Sequence, residues 1–322
     1  FSAGLIFTFL VLLPFCLISG FTFIKFTEAG KVTGQLPGKS FSVETVGGII
    51  AGIMISIPGA GILNTYQALL IITLMGITWS LLTFCIKNTT GKLVLKTGVL
   101  LLVSLVIIFP PDFIFRQLLL KGIRVTETFD TPYGNITKGE YHGEASTWYN
   151  QRLITYSSDA AESEEDIHYG MLQTDDPATV LLISGSAGSR IREISKYDIG
   201  ELVYVERDPA LTADIERDEK DEKVLLTVIN DDAFSYIRET GRKFDAVIML
   251  LPPPSSLSLN RYYTVEFFRS VKKIMNEGAV FSCSPGINPN YFNSEAVRLY
   301  SSVFNSMKAV FGNVVPVAGI KL

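Results

Sequence analysis

Histidine, cysteine and positive charge are all scarce in this 322-residue chain. Its two histidines, His142 and His168, form no metal-ligand spacing and argue against a His-based metal site. The three cysteines, Cys16, Cys85 and Cys283, match no zinc or redox pattern. Two of them lie in apolar runs, where a cysteine serves as a small hydrophobe. Cys283 ends an apolar run with no base identified to make it a nucleophile. Beyond position 116 there are 21 Lys/Arg against 29 Asp/Glu, a net −8. That balance excludes nucleic-acid binding through a basic face. An initial methionine is also missing. The chain opens at Phe1 inside an apolar run with no charged region ahead, so a signal peptide fits poorly and a piece of a longer protein is expected.

Apolar residues are abundant, at 48% of the chain. They are concentrated in residues 1–116, which hold seven Lys/Arg and three Asp/Glu. Four apolar stretches, 3–24, 43–57, 62–86 and 94–115, predict a transmembrane helical region of about four spans, against a bilayer requirement of about 20 residues each. Gly47, Gly48, Ala51 and Gly52 form a small-residue patch expected to let helices approach closely. No ionisable residue sits deep in a span, which argues against a transporter. An integral protein of the plasma (inner) membrane is expected. Orientation stays open: loop lysines 25, 31, 39, 87 and 92 would put the remainder outside, whereas a cytosolic nucleotide would put it in the cytoplasm.

Residues 123–173 read as a small β-hairpin domain and a connecting helix, with a turn at Thr131-Pro132-Tyr133-Gly134 and acidic residues 162–166 opening the helix. Residues 174–322 alternate apolar strands with helices, predicting a Rossmann-like parallel sheet that takes ligands at the strands' C-terminal ends. The strands are read at 180–184, 202–205, 224–229, 244–251 and 278–283. The first runs into Gly185-Ser186-Ala187-Gly188-Ser189, where Gly185 and Gly188 allow backbone to approach a ligand. The second ends at Glu206, placed to accept both hydroxyls of a ribose. The third ends at Asp231-Asp232, and Asp232 is placed to accept an adenine amino group. No basic residue stands in the Gly turn, which favours an adenosyl group over a pyrophosphate.

Several segments then resemble the spermidine/spermine synthase family: Thr131-Pro132-Tyr133-Gly134, residues 180–193, Tyr204-Val205-Glu206-Arg207-Asp208-Pro209, Asp232-Ala233, and Tyr263-Thr264-Val265-Glu266-Phe267-Phe268. Pro252-Pro253-Pro254-Ser255 and Leu259-Asn260-Arg261-Tyr262-Tyr263-Thr264 resemble the membrane-fused branch of that family, as do Glu164-Glu165-Asp166-Ile167-His168 and residues 311–322, a segment the branch normally continues. The resemblance implies a methyltransferase-type fold behind transmembrane helices. It also implies decarboxylated S-adenosylmethionine as cofactor and aminopropyl transfer to an amine or polyamine. Gly185, Gly188, Glu206 and Asp232 would hold the cofactor.

Departures from the family's pattern fall on the chemistry. The Asp-Ser/Thr-x-Asp-Pro motif that ends the fourth strand in soluble members is replaced by Leu250 and Pro253 at its two acids. An alkylammonium with a pKa near 10 must lose a proton before attack, and neither side chain can accept it. Ala187 stands for an Asp and Tyr169-Gly170 for a His-Glu pair. Tyr262, Tyr263 and His168 are the remaining candidates for catalysis, with Asn260 beside them. Two alternatives follow: a methyl- or alkyltransferase using intact S-adenosylmethionine, or a non-catalytic nucleoside-binding membrane protein. A homo-oligomer is compatible with either. The sequon at Asn135 has meaning only if that domain is extracellular.

Overall fold

The computed structural model describes residues 2–32, 37–54, 63–82, 88–157, 159–185, 188–213, 224–286 and 293–317. Cys85 and Ala187 lie outside the described residues. The chain divides into two compact units, Phe1–Pro111 and Asp112–Leu322.

The first unit is helical: α1 (Ser2–Val32), α2 (Pro37–Met54), α3 (Thr65–Ser80) and α4 (Thr89–Ile108). Each of these helices overlaps one of the four apolar stretches, whose residues 55–57, 62 and 83–86 lie outside the described residues. Among the described residues, however, only Thr89–Ile108 is both long and apolar enough to cross a membrane, and none of it is buried. The other apolar segments, Cys16–Lys25, Phe41–Ile53 and Thr65–Trp79, are shorter. Among the described residues the expected small-residue contact is not seen. A Cβ added at Gly47, Gly48 or Gly52 would meet no atom within 4 Å, so this face of α2 packs against nothing described. Buried Gln67 does the joining instead, donating to the carbonyls of Val106 (3.0 Å) and Ile107 (3.3 Å) at the end of α4. Helix ends leave such carbonyls without partners in their own helix.

The second unit starts with α5 (Asp112–Leu119), which the sequence reading placed partly with the membrane spans. Gln117 fastens it to the small sheet, accepting from Val125 N (2.9 Å) and donating to Ile123 O (2.7 Å). That sheet is an antiparallel meander, β1 (Arg124–Asp130), β2 (Asn135–Tyr141), β3 (Glu144–Tyr149) and β4 (Arg152–Tyr156). Helix α6 (Ala160–Met171) leads from it to the larger sheet.

The larger sheet contains β5 (Thr179–Ile183), β6 (Glu201–Val205), β7 (Leu225–Ile229), β8 (Phe244–Met249) and β9 (Met275–Cys283), all parallel in the order β7-β6-β5-β8-β9. Its helices are α7 (Gly188–Ile194), α8 (Pro209–Thr212), α9 (Ala233–Glu239), α10 (Leu257–Asn260), α11 (Val265–Lys273) and α12 (Ser294–Lys308). Both faces are covered, which is why the central strands run apolar through residues 180–183, 202–205 and 246–249. Val180 and Leu182 pack with Ile167 and Ile191 on one side; Leu181 and Ile183 pack with Phe267 and Phe268 on the other. Strand order reverses between β5 and β8, and open α/β sheets form their ligand crevice at such a switch point.

Candidate active site at the carboxyl edge of the large sheet

The turn after β5 is strained. Ser184 has φ +58° and Gly185 φ +96°, two successive residues in the left-handed region. Gly185 adopts it readily, whereas Ser184 holds it against steric cost. The result aims the Ser184 hydroxyl at Glu206, 2.9 Å away.

Glu206 is buried at the end of β6. Its Oε2 accepts from Ser184 and from Tyr204 (3.1 Å), and its Oε1 from the amides of Arg207 (2.8 Å) and Asp208 (3.4 Å). Burial raises its pKa above the ordinary carboxylate value, outweighing those four donors.

The next acid, Asp208, joins the two sheets. Its Oδ1 caps α8 through Ala210 N, and its Oδ2 accepts from Thr131 (2.5 Å) in the β1–β2 turn and from Tyr149 (3.2 Å) on β3. Burial, then Asp208, drives the Tyr149 phenol well above its usual range. Arg207 lies over the Tyr133 ring at 4.8 Å. The Thr131–Gly134 turn, conspicuous in the sequence, is therefore a clamp.

Asp232 has a double task. Its Oδ1 caps α9, accepting from Phe234 N (3.0 Å) and Ser235 N (3.3 Å). Its Oδ2 accepts from the Tyr262 hydroxyl (2.6 Å) and pairs with Arg261. Burial opposes its ionisation, but Tyr262 and Arg261 prevail and hold its pKa below the usual value. Asp231 is half-buried, and its Oδ1 accepts from Asp232 N.

The catalytic candidates are placed apart. Tyr262 is engaged with Asp232, its phenol pushed up to about 12 by burial and that bond. Tyr263 is buried, with its hydroxyl among the carbonyls of Leu251 (2.9 Å), Pro252 (3.0 Å) and Ser284 (3.2 Å), so it ties the loops after β8 and β9 together. His168 does not join them. It meets Tyr197 (2.6 Å) and Glu193 (3.0 Å), at and beyond the far end of α7 from Gly188. Asn260, at the end of α10, lies beside Arg261. Burial pushes the Cys283 thiol up to about 12, which counts against the nucleophile role its strand-end position raised.

At the family's acid positions, Leu250 packs on Gly185 and Pro253 on Gly286; a Cβ on those glycines would come within 2.5 Å and 2.9 Å. Gly170 lies against Ser282, and Tyr169 is exposed. One feature escaped sequence reasoning altogether. Buried Arg190, just past the Gly turn, bonds Asp159 (3.0 Å) and Asp166 (2.8 Å), and Asp159 also accepts from Ser189 (3.0 Å). Two segments meet there, α6 with its N-cap and the start of α7, and nothing in their local sequence announces the pairing. Among the described residues no group of three or more His, Cys, Asp or Glu could hold a metal.

Residues 160–318 match the family model for the spermine/spermidine synthase domain. Over 262 residues the chain is 26% identical to the polyamine aminopropyltransferase of Leptospira interrogans serogroup Icterohaemorrhagiae serovar copenhageni, taking in 76% of this chain and 53% of that protein. Over 163 residues it is 28% identical to the polyamine aminopropyltransferase of Korarchaeum cryptofilum, taking in 48% of this chain and 50% of that one. The chain spans about half the length of these curated relatives. A solved spermidine synthase, in complex with the transition state analogue AdoDATO, superposes with TM-score 0.52 at 18% identity, covering 62% of this chain and 72% of that one. That likeness establishes the fold: a Rossmann-type parallel sheet preceded by an antiparallel sheet. The family match and the relatives support a spermine/spermidine synthase domain at residues 160–318.

Proposed function

We propose that the second unit binds decarboxylated S-adenosylmethionine across the ends of β5, β6 and β7 and transfers its aminopropyl group to an amine. Glu206 carries this reading. A buried carboxylate held by two backbone amides and facing a glycine turn is costly to keep, and a ribose diol justifies it. Its four acceptor positions are filled, so the rotatable Ser184 hydroxyl marks the place a ribose hydroxyl would take. Asp232 and Asp231 stand where the adenine amino group would lie, with Asp232 already committed to its cap and to Arg261. Gly185 and Gly188 border the path proposed for the chain carrying the sulfonium, with Leu250 packed on Gly185. Attack by a neutral nitrogen on the carbon next to sulfur breaks the C–S bond and leaves a neutral thioether nucleoside. The solved synthase bound to AdoDATO supports the donor class.

The first unit is, in the same reading, a membrane anchor. Its described helices expose large apolar side chains such as Leu100, Leu101 and Ile108 along α4. The alignment with the Leptospira protein takes in more of the chain than residues 112–322 can supply, so the likeness reaches into these helices.

Titration calorimetry on the detergent-solubilised chain tests the proposal, using decarboxylated S-adenosylmethionine, S-adenosylmethionine and methylthioadenosine. Binding that weakens in Glu206→Gln, with the decarboxylated form preferred, is expected. Preference for the intact cofactor would favour methyl transfer, and no binding by folded protein would remove the cofactor assignment.

A further inference from the structure

Asp232 has no acceptor position left. A carboxylate offers about four. Its Oδ1 is taken by the amides of Phe234 and Ser235, and its Oδ2 by Tyr262 and Arg261. An adenine amino group can bond this carboxylate only where one of those partners leaves.

The partners are not equally held. The two amides belong to the first turn of α9, and withdrawing them would uncap that helix. Tyr262 is buried, and its ring meets Phe267 edge-on at 5.4 Å. Arg261 stands on the short turn between α10 and α11, with its side chain 42% exposed. Among the described residues it bonds only Asp232 and the Tyr262 hydroxyl (2.5 Å). Its Nε is closed off from solvent with no acceptor among those residues. A guanidinium that swings outward recovers that bond from water. Tyr262 and the two amides stay behind to hold the charge on Asp232.

We infer that Arg261 fills the place of the adenine amino group while the site is empty and is exchanged for it when the nucleoside binds; this rests on the adenine placement proposed above. The exchange trades an ion pair for a neutral donor on the same oxygen, so Arg261 holds down the affinity for every adenosyl ligand. Its return to Asp232 favours release of the thioether nucleoside left by transfer.

Methylthioadenosine is the probe, because it is uncharged and its own attraction to the site gains nothing from a change in ionic strength. Its Kd is measured by titration calorimetry on the full, detergent-solubilised chain from about 20 to about 300 mM NaCl, a range over which screening grows strongly. Salt weakens a half-exposed ion pair, so wild-type affinity is expected to rise about two- to threefold. Arg261→Met is expected to bind about three- to tenfold tighter than wild type at low salt and to lose the salt dependence. Arg261→Lys keeps the charge and is expected to keep that dependence. The wild-type and Arg261→Lys results stand whether or not Arg261→Met folds. Wild-type affinity that is flat or falls with salt overturns the inference. So does Arg261→Met binding no tighter than wild type, a result that leaves Asp231 to accept the adenine amino group. Glu206→Gln in the same series separates the two readings. Absence of binding by folded wild type, or full binding by Glu206→Gln, removes the nucleoside site and this inference with it. Binding that weakens in Glu206→Gln but is indifferent to Arg261 overturns the exchange alone.

Discussion

Gly185 and Leu250 fill one space at the switch point: a Cβ on the glycine would lie 2.5 Å from the leucine Cβ and 2.7 Å from its Cδ1. The turn that would admit a cofactor thus depends on a side chain standing where soluble relatives of this fold are expected to carry an acid. The packing that neutralises the β8 side is the same packing that forbids a side chain at position 185.

Gly185→Ala should therefore be costly for two separable reasons. The left-handed backbone, at φ +96°, costs an alanine about 1–2 kcal/mol, and overpacking adds roughly 1–3 kcal/mol. The apparent Tm of the second unit should drop by about 5–10 °C. Adding Leu250→Gly, which removes the Cβ met at 2.5 Å, should return the steric part and leave the backbone part. A double-mutant cycle on thermal melting would show a favourable coupling of about 1–2 kcal/mol, and simple additivity would contradict the contact.

Thr131 and Asp208 make a second dependence, across 77 residues of chain. Thr131→Val removes the hydroxyl that donates to a buried carboxylate, at a cost of about 1–3 kcal/mol. The loss should be local. Hydrogen exchange should quicken through residues 124–156 while β5 and β8 keep their protection, and Thr131→Ser should restore the slow rates. Unchanged exchange in the hairpins would mean that the clamp carries no tension between the sheets.

Much of this architecture was legible in the sequence because the governing patterns are local. Val180 to Ile183 has no polar position, and only a strand buried on both faces tolerates that. Glu206 could be placed because it follows such a strand at a recognisable distance from Gly188. The failures share one cause: they concern which distant surfaces meet. Nothing near His168 in the chain predicts that Glu193 and Tyr197 take both its ring nitrogens. The glycines of α2 look like a helix contact by composition, yet packing happens elsewhere, through Gln67. Ser184 was passed over because strain at a non-glycine residue leaves no mark in a sequence.

Asp232 should reveal itself through acid stability. Its folded pKa lies below the ordinary value, so its contribution is present above the unfolded pKa and is lost as pH falls through the folded one. Asp232→Asn keeps the helix cap and gives up the pairing with Arg261 and Tyr262, worth about 1 kcal/mol for this partly exposed pair. Asp232→Ala loses the cap as well, about 1 kcal/mol more. Denaturation profiles recorded from pH 6 down to pH 2 should converge for wild type and Asp232→Asn at the acid end. Parallel profiles would show that the pairing is not electrostatic.

Glu206 predicts the opposite sign. Burial raises its folded pKa, so the folded state holds that proton more tightly than the unfolded chain does. Stability contributed by this group is full below the unfolded pKa and declines as pH rises through the folded one. Glu206→Gln keeps an oxygen for the amides of Arg207 and Asp208 and turns its NH2 toward the Ser184 and Tyr204 hydroxyls, which can accept. It should melt higher than wild type at pH 7–8, and the advantage should vanish near pH 4. The gain comes at the expense of the ligand. A charge-assisted hydrogen bond is worth about 1.5–3 kcal/mol, so sulfonium binding should weaken by about tenfold or more. A variant both more stable at neutral pH and poorer at binding identifies Glu206 as a residue kept ionised for its ligand. A variant that is more stable but binds as tightly as wild type would show that the ribose lies elsewhere.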